Sequence, residues 1–534
     1  MNFLNNRKGY ELFAYEAHKN FYVDKSLLID AVYNFAKFNN KFICITRPRR
    51  FGKSTAANML AAFFDPGAAE DSRELFLGLA LGKEWANLPH CWAEQGKRNV
   101  IHINMIHLMP PSVKSYQDFE GYLHVNLLED LQTAYPAKNI KAKWPLSQAL
   151  EKTGDKFIFV IDEWDAVFEM PFMTDVDRKA YILFLKGLLK DRSYVYFAYM
   201  TGILPIAKYS SGSPLNMFKE CNTFGDSTFY PWFGLTRAEI QAVMQKRGIT
   251  SPTIEDLAFW YDGYIRSYDG ERLFNPTSVS YALAEGSCQS HWTGTGPMNE
   301  VRDLIRRNVQ DLREDVVRMA GGETLDVELT GFSVEKTEIT TKDEILSAMV
   351  VYGFLTYHAE KLRIPNHELT LKFRQALASP ELGLNQTLAE SKKLLQATLE
   401  RDHKTVAKLL AELHDEKIPF FHYTDENSLA CVITVGYLAA LDKYRLKRED
   451  KAGKGYADFT FEPMHKTETA IILELKYNRS AKTALKCIHE RGYLARFKDF
   501  DRVLLVGLNY SEATKKHTCL TELVEPKKTE RSQP

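Results

Sequence analysis

The chain has 534 residues, too many for one ordinary domain; the length alone suggests three or four. Hydrophobic residues make up 45%, which suits packed cores and argues against disorder, and Lys+Arg and Asp+Glu both number 69, so any electrostatic footprint for nucleic acid must be local. The seven cysteines form no C-x-x-C pair, no apolar run approaches the roughly 20 residues of a membrane span, and Met1-Asn2-Phe3 leads straight into mixed polar sequence. A cytoplasmic protein without a zinc site, a membrane segment or a signal peptide is the expectation.

Phe21 to Ile29 reads as a short extended piece running into a helix capped by Asp24 or Ser26. The stretch from Lys41 to Thr55, KFICITRPRRFGKST, then organises the N-terminal half. Phe42 to Thr46 reads as a buried strand and Arg47 to Phe51 as a tight basic loop. Gly52-Lys53-Ser54 opens a helix that runs through Thr55 to Phe64. This is the layout of a P-loop. Gly52 lets the backbone approach a phosphate, Lys53 reaches the β- and γ-phosphates, and the Ser54 hydroxyl can hold Mg²⁺. The helix N-terminus points its positive end at the same phosphates. Arg50, Phe51, Gly52, Lys53, Ser54 and Thr55 are therefore the candidate nucleotide contacts. The usual pattern has Gly where this chain has Arg47, and a ligand-free helix N-terminus is the plainer reading of this segment taken alone.

Asn99 to Met105 reads as a second buried strand and Lys156 to Ile161 as a third, with helical stretches between them. That alternation implies crossover connections and a parallel sheet. The third strand runs into Asp162-Glu163, which places two carboxylates at the ligand-binding edge of such a sheet. Asp162 can hold Mg²⁺ through water, and Glu163 can polarise the attacking water as a general base. A polar turn ending a strand is the bland alternative. A fourth strand, Tyr194 to Met200, ends at Thr201-Gly202, and Thr201 is a candidate γ-phosphate sensor. Ser210 to Asn216 reads as a mobile surface turn.

From Leu235 to Met244 the pattern is helical with Thr236 as cap, followed by aromatic-anchored turns at Tyr261 to Tyr264 and Leu273 to Pro276. This segment suits a small helical lid; Arg266 reads as a surface charge. Residues 296–420 are mostly helical. Ile345 to Thr356 suggests a helix, a turn and a strand, and the leucine-rich stripe between Leu388 and Leu413 reads as packing.

The last part holds a second constellation. Tyr456 to Phe461 and Ala470 to Lys476 read as adjacent strands. Asp458 is followed by 15 residues and then Glu474-x-Lys476. On a strand, i and i+2 share a face, so Glu474 and Lys476 point the same way and a hairpin can bring Asp458 beside them. Two carboxylates can bind Mg²⁺ through hard oxygens, and the lysine can assist the water or the developing charge. Glu426, at the head of an apolar helix from Leu429 to Leu441, could supply a further ligand. The metal candidates are thus Ser54, Asp162, Glu426, Asp458 and Glu474. A basic helix between Tyr477 and Lys498, and a loop carrying Lys443, Arg445, Lys447, Arg448, Lys451 and Lys454, form the local positive field that a phosphodiester backbone needs. A solvated lysine-rich face is the alternative reading. The tail after Val524 reads as disordered.

With these motifs together, the chain resembles a family of bacterial proteins that join an AAA-ATPase-like N-terminal domain to a PD-(D/E)XK nuclease-superfamily C-terminal domain. The resemblance rests on Phe21 to Ile29, on RPRRFGKS (Arg47 to Ser54), on IDEWD (Ile161 to Asp165) and on the Thr201 turn. In the second part it rests on G-x-G-x-A-D (Gly453 to Asp458), on I-x-E-L-K (Ile472 to Lys476), and on Ala484 to Ile488 followed by Gly492-Tyr493. The family's own P-loop lacks the first Gly. Many members place Gln where this chain has Cys487, and a thiol is a weak hydrogen-bond partner, which puts the cutting activity in question.

The expected fold class is α/β: a P-loop NTPase parallel sheet with a helical lid, a helical/winged-helix-like middle region, and a C-terminal restriction-endonuclease-like α/β domain. The expected divisions are 1–234, 235–295, 296–420, 421–525 and a tail over 526–534. The expected cofactors are ATP and Mg²⁺. The expected partner is nucleic acid, with DNA the favoured form, and the resemblance alone implies a homo-oligomer. Lys53, Ser54, Asp162 and Glu163 would run ATP hydrolysis, and Asp458, Glu474 and Lys476 would cut. A different class, an ATP-switched nucleic-acid-binding or signalling protein whose nuclease fold is inactive, is the second reading. A third is an ATPase motor or remodeller whose C-terminal domain acts only as a partner module.

Overall fold

The computed structural model describes residues 1–108, 110–206, 215–222, 228–266, 269–291, 305–306, 312–329, 341–377, 385–413, 426–452, 455–465 and 467–526; within these, the side chains of 385–388, 426–428, 431 and 449–452 are not described. The chain forms two units: residues 1–291 with 329–359, and residues 292–328 with 360–534. Most of the Ser210–Asn216 turn, and the residues beyond 526, lie outside the described residues.

The first unit is built on β1 (Phe42–Thr46), β2 (Asn99–Asn104), β3 (Phe157–Asp162), β4 (Val195–Gly202) and β5 (Lys219–Cys221), in the order β2-β3-β4-β1-β5. Every pairing is parallel. Strands β1 and β3 are buried along their whole length because helices cover both sheet faces. One face packs against α3 (Lys53–Phe64), with α1 (Lys8–Ala17) and α2 (Leu28–Phe38) outside it. The other packs against α4 (Tyr116–Ala134), α5 (Leu146–Thr153) and α6 (Asp175–Leu189). Helix α1 crosses α3 so closely that a Cβ on Gly9 would lie 2.6 Å from Ala61 Cβ. Strands β1 to β4 match the expected ones to within two residues at either end, with Asp162 the last member of β3, while the short edge strand β5 was not expected.

Arg47 is the residue that departs from the usual P-loop. The left-handed backbone falls elsewhere, on Arg50 (φ 70°) and Gly52 (φ 86°), so glycine is not required at 47. The Arg47 side chain is buried, with its guanidinium 4.6 Å from the Tyr230 ring centroid and 5.5 Å from that of Phe233. It donates to the carbonyls of Thr46 and Cys221, which ties the loop to β5. Arg47→Ala leaves a cavity and an unmet carbonyl, so thermal unfolding should show a loss of about 3 kcal/mol.

Beyond β5 lie α7 (Arg237–Arg247), α8 (Ile254–Tyr261) and α9 (Pro276–Glu285), which share a small core of their own. Thr236 caps α7 through a capping box with Glu239, as its sequence suggests. Arg266 pairs with Asp269 and Glu271. The expected helix, turn and strand appear as Lys342–Tyr352, Gly353 at φ 84°, and Thr356–His358.

The second unit contains α10 (Asn385–Leu399), α11 (His403–Glu412) and α12 (Glu426–Gly436), followed by β6 (Tyr444–Ala452), β7 (Gly455–Pro463), β8 (Ala470–Tyr477), α13 (Ala481–Arg491), β9 (Val503–Ser511) and β10 (Lys516–Val524). The strands form one mixed sheet in the order β6-β7-β8-β9-β10, in which only the β8–β9 pairing is parallel. The leucine stripe belongs to two helices, not one: Arg401 takes φ 61° and Asp402 caps the second helix. Leu394, Leu395, Val406 and Leu410 from that stripe pack into the same core as β7, β8 and β9.

The segment expected to be a basic loop is strand β6, paired along its length with β7. Its charges suit an edge strand, where Lys and Arg discourage pairing with another chain. Arg448 is not part of an outward field, because it is buried in an ion pair with Glu323.

Candidate functional site

The parallel topology brings the ends of β1, β2, β3 and β4 to one edge of the sheet. Asp162 sits there, buried. Its Oδ1 accepts from Thr201 Oγ1 and its Oδ2 accepts from Asn104 Nδ2 at 2.8 Å. Thr201 therefore contacts Asp162 directly. Asn104 closes an apolar strand just as Asp162 does, and that pattern is the signal by which sequence reasoning could have found it. Glu163 follows in left-handed backbone, φ 54°, the kind of conformation stored at functional turns. Burial pushes its carboxyl above the usual glutamate range, and the Lys53 ammonium partly opposes the shift.

Lys53 is buried, and its Nζ donates to the Pro48 carbonyl at 3.1 Å. Asp165 accepts from the backbone N–H groups of Ile203 at 2.8 Å and Leu204 at 2.6 Å, which fixes the turn after Thr201. A Cβ on Gly202 would lie 2.6 Å from Asp165 Oδ1 and would collide with the Trp164 ring. Gly202→Ala should therefore cost about 1–3 kcal/mol in thermal unfolding.

Two cavities flank this loop. One of about 310 Å³ is lined by Ser54, Asp162, Asn104, His102, Asn58 and Lys8. The other, of about 440 Å³, runs from Arg50, Gly52 and Thr55 to Tyr22, Trp232 and Tyr281. Phe51 also lines it, and its ring packs edge-on against Tyr264 at 4.8 Å. The position a Cβ would take at Gly52 is open space, as a phosphate cradle needs. A hydroxyl (Ser54), a carboxylate (Asp162) and an open loop backbone fit a nucleotide with a hard cation. Tyr22, Trp232 and Tyr281 had no assigned role from sequence, because they converge from distant segments.

In the second unit, β7 and β8 pair antiparallel through Phe459–Leu473 and Phe461–Ile471. Past that ladder Asp458 faces β8, and its Oδ2 accepts the Leu475 N–H at 2.6 Å. Glu474 is buried at 2% exposure. Its Oε1 accepts from Lys476 Nζ at 3.0 Å and from Cys487 Sγ at 3.0 Å, while Oε2 is buried with no hydrogen-bond partner among the described residues. The three predicted residues thus converge. Burial and the neighbouring Glu474 push the Cys487 thiol up to about 11, so it stays protonated and acts as a donor.

A buried carboxylate oxygen left unmet is costly, and a divalent cation would satisfy it. Among the described residues no group of three or more His, Cys, Asp or Glu is arranged to hold a metal. Glu426 opens α12, but its side chain lies outside the described residues. Helix α13 buries Ala481, Ala484 and Ile488, and Leu485 is partly buried. No described helix is long and apolar enough to cross a membrane.

A family model described as predicted AAA-ATPase matches residues 11–211, and one described as the PD-(D/E)XK nuclease superfamily matches residues 424–518. A relative described as an uncharacterized protein in the vnfD 5′ region of Azotobacter chroococcum mcd 1 is 25% identical over 357 residues, 62% of this chain. The chain spans 62% of that relative's length. Among solved structures, the Walker-type ATPase of Pyrococcus abyssi aligns over 66% of this chain and 96% of its own, at 13% identity and a TM-score of 0.33. The ORC2 protein of Aeropyrum pernix aligns over 68% of this chain and 98% of its own, at 11% identity and a TM-score of 0.31. The parallel sheet of the first unit and the mixed sheet of the second have the arrangement that the two family matches call for. The chain therefore carries an AAA-ATPase-like domain at its N-terminal side and a PD-(D/E)XK nuclease-superfamily domain at its C-terminal side.

Proposed function

We propose that the protein is a cytoplasmic, ATP-regulated, Mg²⁺-dependent nuclease that binds and cleaves nucleic acid, with DNA the favoured substrate, in genome defence or mobile-element control. The divisions at 234, 295, 420 and 525 are part of the same proposal, as is assembly into a homo-oligomer. The observation that carries the cutting activity is Glu474: one buried oxygen holds Lys476 and Cys487, and the other has no hydrogen-bond partner among the described residues. Bound Mg²⁺ would supply Lewis-acid stabilisation of phosphate charge at both sites.

At the first site Arg50, Phe51, Gly52 and Thr55 would frame the nucleotide, Lys53, which donates to the Pro48 carbonyl, would turn to the phosphates, and Ser54 and Asp162 would hold the cation. Glu163 takes the proton of the attacking water, and Thr201 orients Asp162. At the second site Asp458 and Glu474, with Glu426, would hold the cation. Lys476, held by Glu474, would steady the developing negative charge.

The test is incubation of the purified protein with plasmid, linear duplex, single-stranded DNA and RNA, with and without Mg²⁺ and ATP. Metal-dependent cleavage that responds to ATP is the expected result; no cleavage in any combination would defeat the proposal. Cys487 favours a second reading, an ATP-switched binding or signalling protein with an inactive nuclease fold. Salt-sensitive binding without cleavage in the same assay would select it.

A further inference from the structure

The loop between β1 and α3 carries three arginines, Arg47, Arg49 and Arg50. Two of them are committed to the protein's own backbone. Arg47 is buried and donates to the Thr46 and Cys221 carbonyls. Arg50 donates from Nη1 to the His291 carbonyl at 2.7 Å. Arg49 differs from both. Its Nη2 donates to the two carboxylate oxygens of Glu169, at 3.1 and 3.4 Å, and its Nε is buried with no hydrogen-bond partner among the described residues.

Glu169 closes the short helical turn Ala166–Glu169, which follows Asp162, Glu163 and Asp165 along the chain. The ion pair therefore ties the P-loop to the segment that carries the candidate water-activating carboxylate. The two side chains stay 31% and 45% exposed. A pair that open to solvent is weak, so a stronger anion can displace the carboxylate. A phosphate group is such an anion, since it carries more charge and suits the two-pronged guanidinium fork. Arg49 also lies in the right stretch of chain, four residues ahead of Lys53 in the loop whose backbone would wrap the phosphates. The charges of Lys53 and Arg49 both act on the Glu163 carboxyl, which puts the three groups in one electrostatic neighbourhood. Lys53 is likewise held by an exchangeable partner, the Pro48 carbonyl.

We propose that Arg49 is a catalytic residue of the ATPase site, supplied by the chain itself, and that on nucleotide binding its guanidinium exchanges Glu169 for the γ-phosphate. Water adds to the γ-phosphorus, its proton passes to Glu163 and on to solvent, and the bond to the bridging oxygen breaks to give ADP and inorganic phosphate. Negative charge redistributes over the transferring group and the bridging oxygen in that step, and a fixed fork of N–H donors stabilises it there. Because Arg49 and Lys53 belong to one loop, the site needs no arginine from a second copy of the chain. This inference rests on the ATPase reading of that site.

The test is steady-state ATP turnover in Mg²⁺ by the full chain and its Arg49→Ala variant, together with binding of a fluorescent ADP analogue with and without aluminium fluoride, which completes a mimic of the transition state. Arg49→Ala should lose about 10³-fold in turnover. It should bind the ADP analogue as the wild type does, yet gain no affinity when aluminium fluoride is added; a folding defect would weaken both. Arg49→Lys keeps the charge without the fork and should recover only part of the rate. An equimolar mixture of Arg49→Ala and Glu163→Gln should stay inactive, because neither chain then holds a complete site. Undiminished turnover in Arg49→Ala or Arg49→Lys, or a full aluminium fluoride effect in Arg49→Ala, would overturn the role of Arg49 and leave the ATPase reading standing. Turnover restored by mixing would overturn its action within one chain. A wild type that neither binds nor hydrolyses ATP would remove both readings.

Discussion

Glu163→Gln should abolish ATP turnover while leaving ATP bound. The carboxylate sits in left-handed backbone at the end of β3, next to Asp162, which lines one cavity with Ser54 and is proposed to hold the cation with it. A positioned general base contributes about 10²–10⁴-fold, so steady-state turnover should fall by that factor. Binding of a fluorescent ATP analogue should stay near the wild-type level, since glutamine keeps the volume. The same substitution should raise thermal stability. Burial holds the folded-state pKa of Glu163 above its ordinary value. The folded protein therefore binds that proton more tightly than the unfolded chain, and stability falls as pH rises through the window between the two values. Glutamine resembles the protonated form and escapes that cost, so its melting temperature should lie above the wild type's at neutral pH. Turnover of the wild type should decline on acidification, beginning above the ordinary glutamate range. A variant that hydrolyses ATP at the wild-type rate would remove Glu163 from the chemistry.

Glu474→Gln should reduce metal-dependent cleavage by at least about a hundredfold. The loss is expected to be larger than for any basic residue of α13, because Glu474 organises its neighbours: Lys476 and Cys487 both donate to one of its oxygens. Lys476 should lose its anchor as well as the metal losing its ligand. Asp458→Ala should act in the same direction, since Asp458 also fixes the β8 backbone at Leu475. The neighbouring Cys487→Gln supplies a stronger donor at the same place and should raise cleavage severalfold. If Cys487→Gln leaves cleavage unchanged, the thiol is not what limits the site. Gel-based cleavage rates in Mg²⁺, normalised to the folded fraction, measure all three.

Local pattern made the frame of both sites legible in the sequence. Phe42–Thr46 and Phe157–Asp162 are apolar runs because both sheet faces are covered, and each run ends where its chemistry begins. Glu474 and Lys476 share a face through the strand period alone, and a short hairpin carries Asp458 to them. Features that depend on distant contacts were not legible. Arg47 is held by Tyr230, Phe233 and Cys221, all far along the chain, so no local signal explains an arginine in that loop. Tyr22, Trp232 and Tyr281 meet at one cavity for the same reason. The charged composition of Tyr444–Ala452 imitates a loop, because an edge strand carries the same residue types. The break at Arg401 has neither Gly nor Pro to announce it.

The unmet oxygen of Glu474 is expected to be a cation site. Isothermal titration of Mg²⁺ and Mn²⁺ into the nucleotide-free wild type and into Glu474→Gln measures this directly. A saturable binding event in the wild type that disappears in the variant is the predicted result. Superimposable isotherms for the two proteins would contradict it.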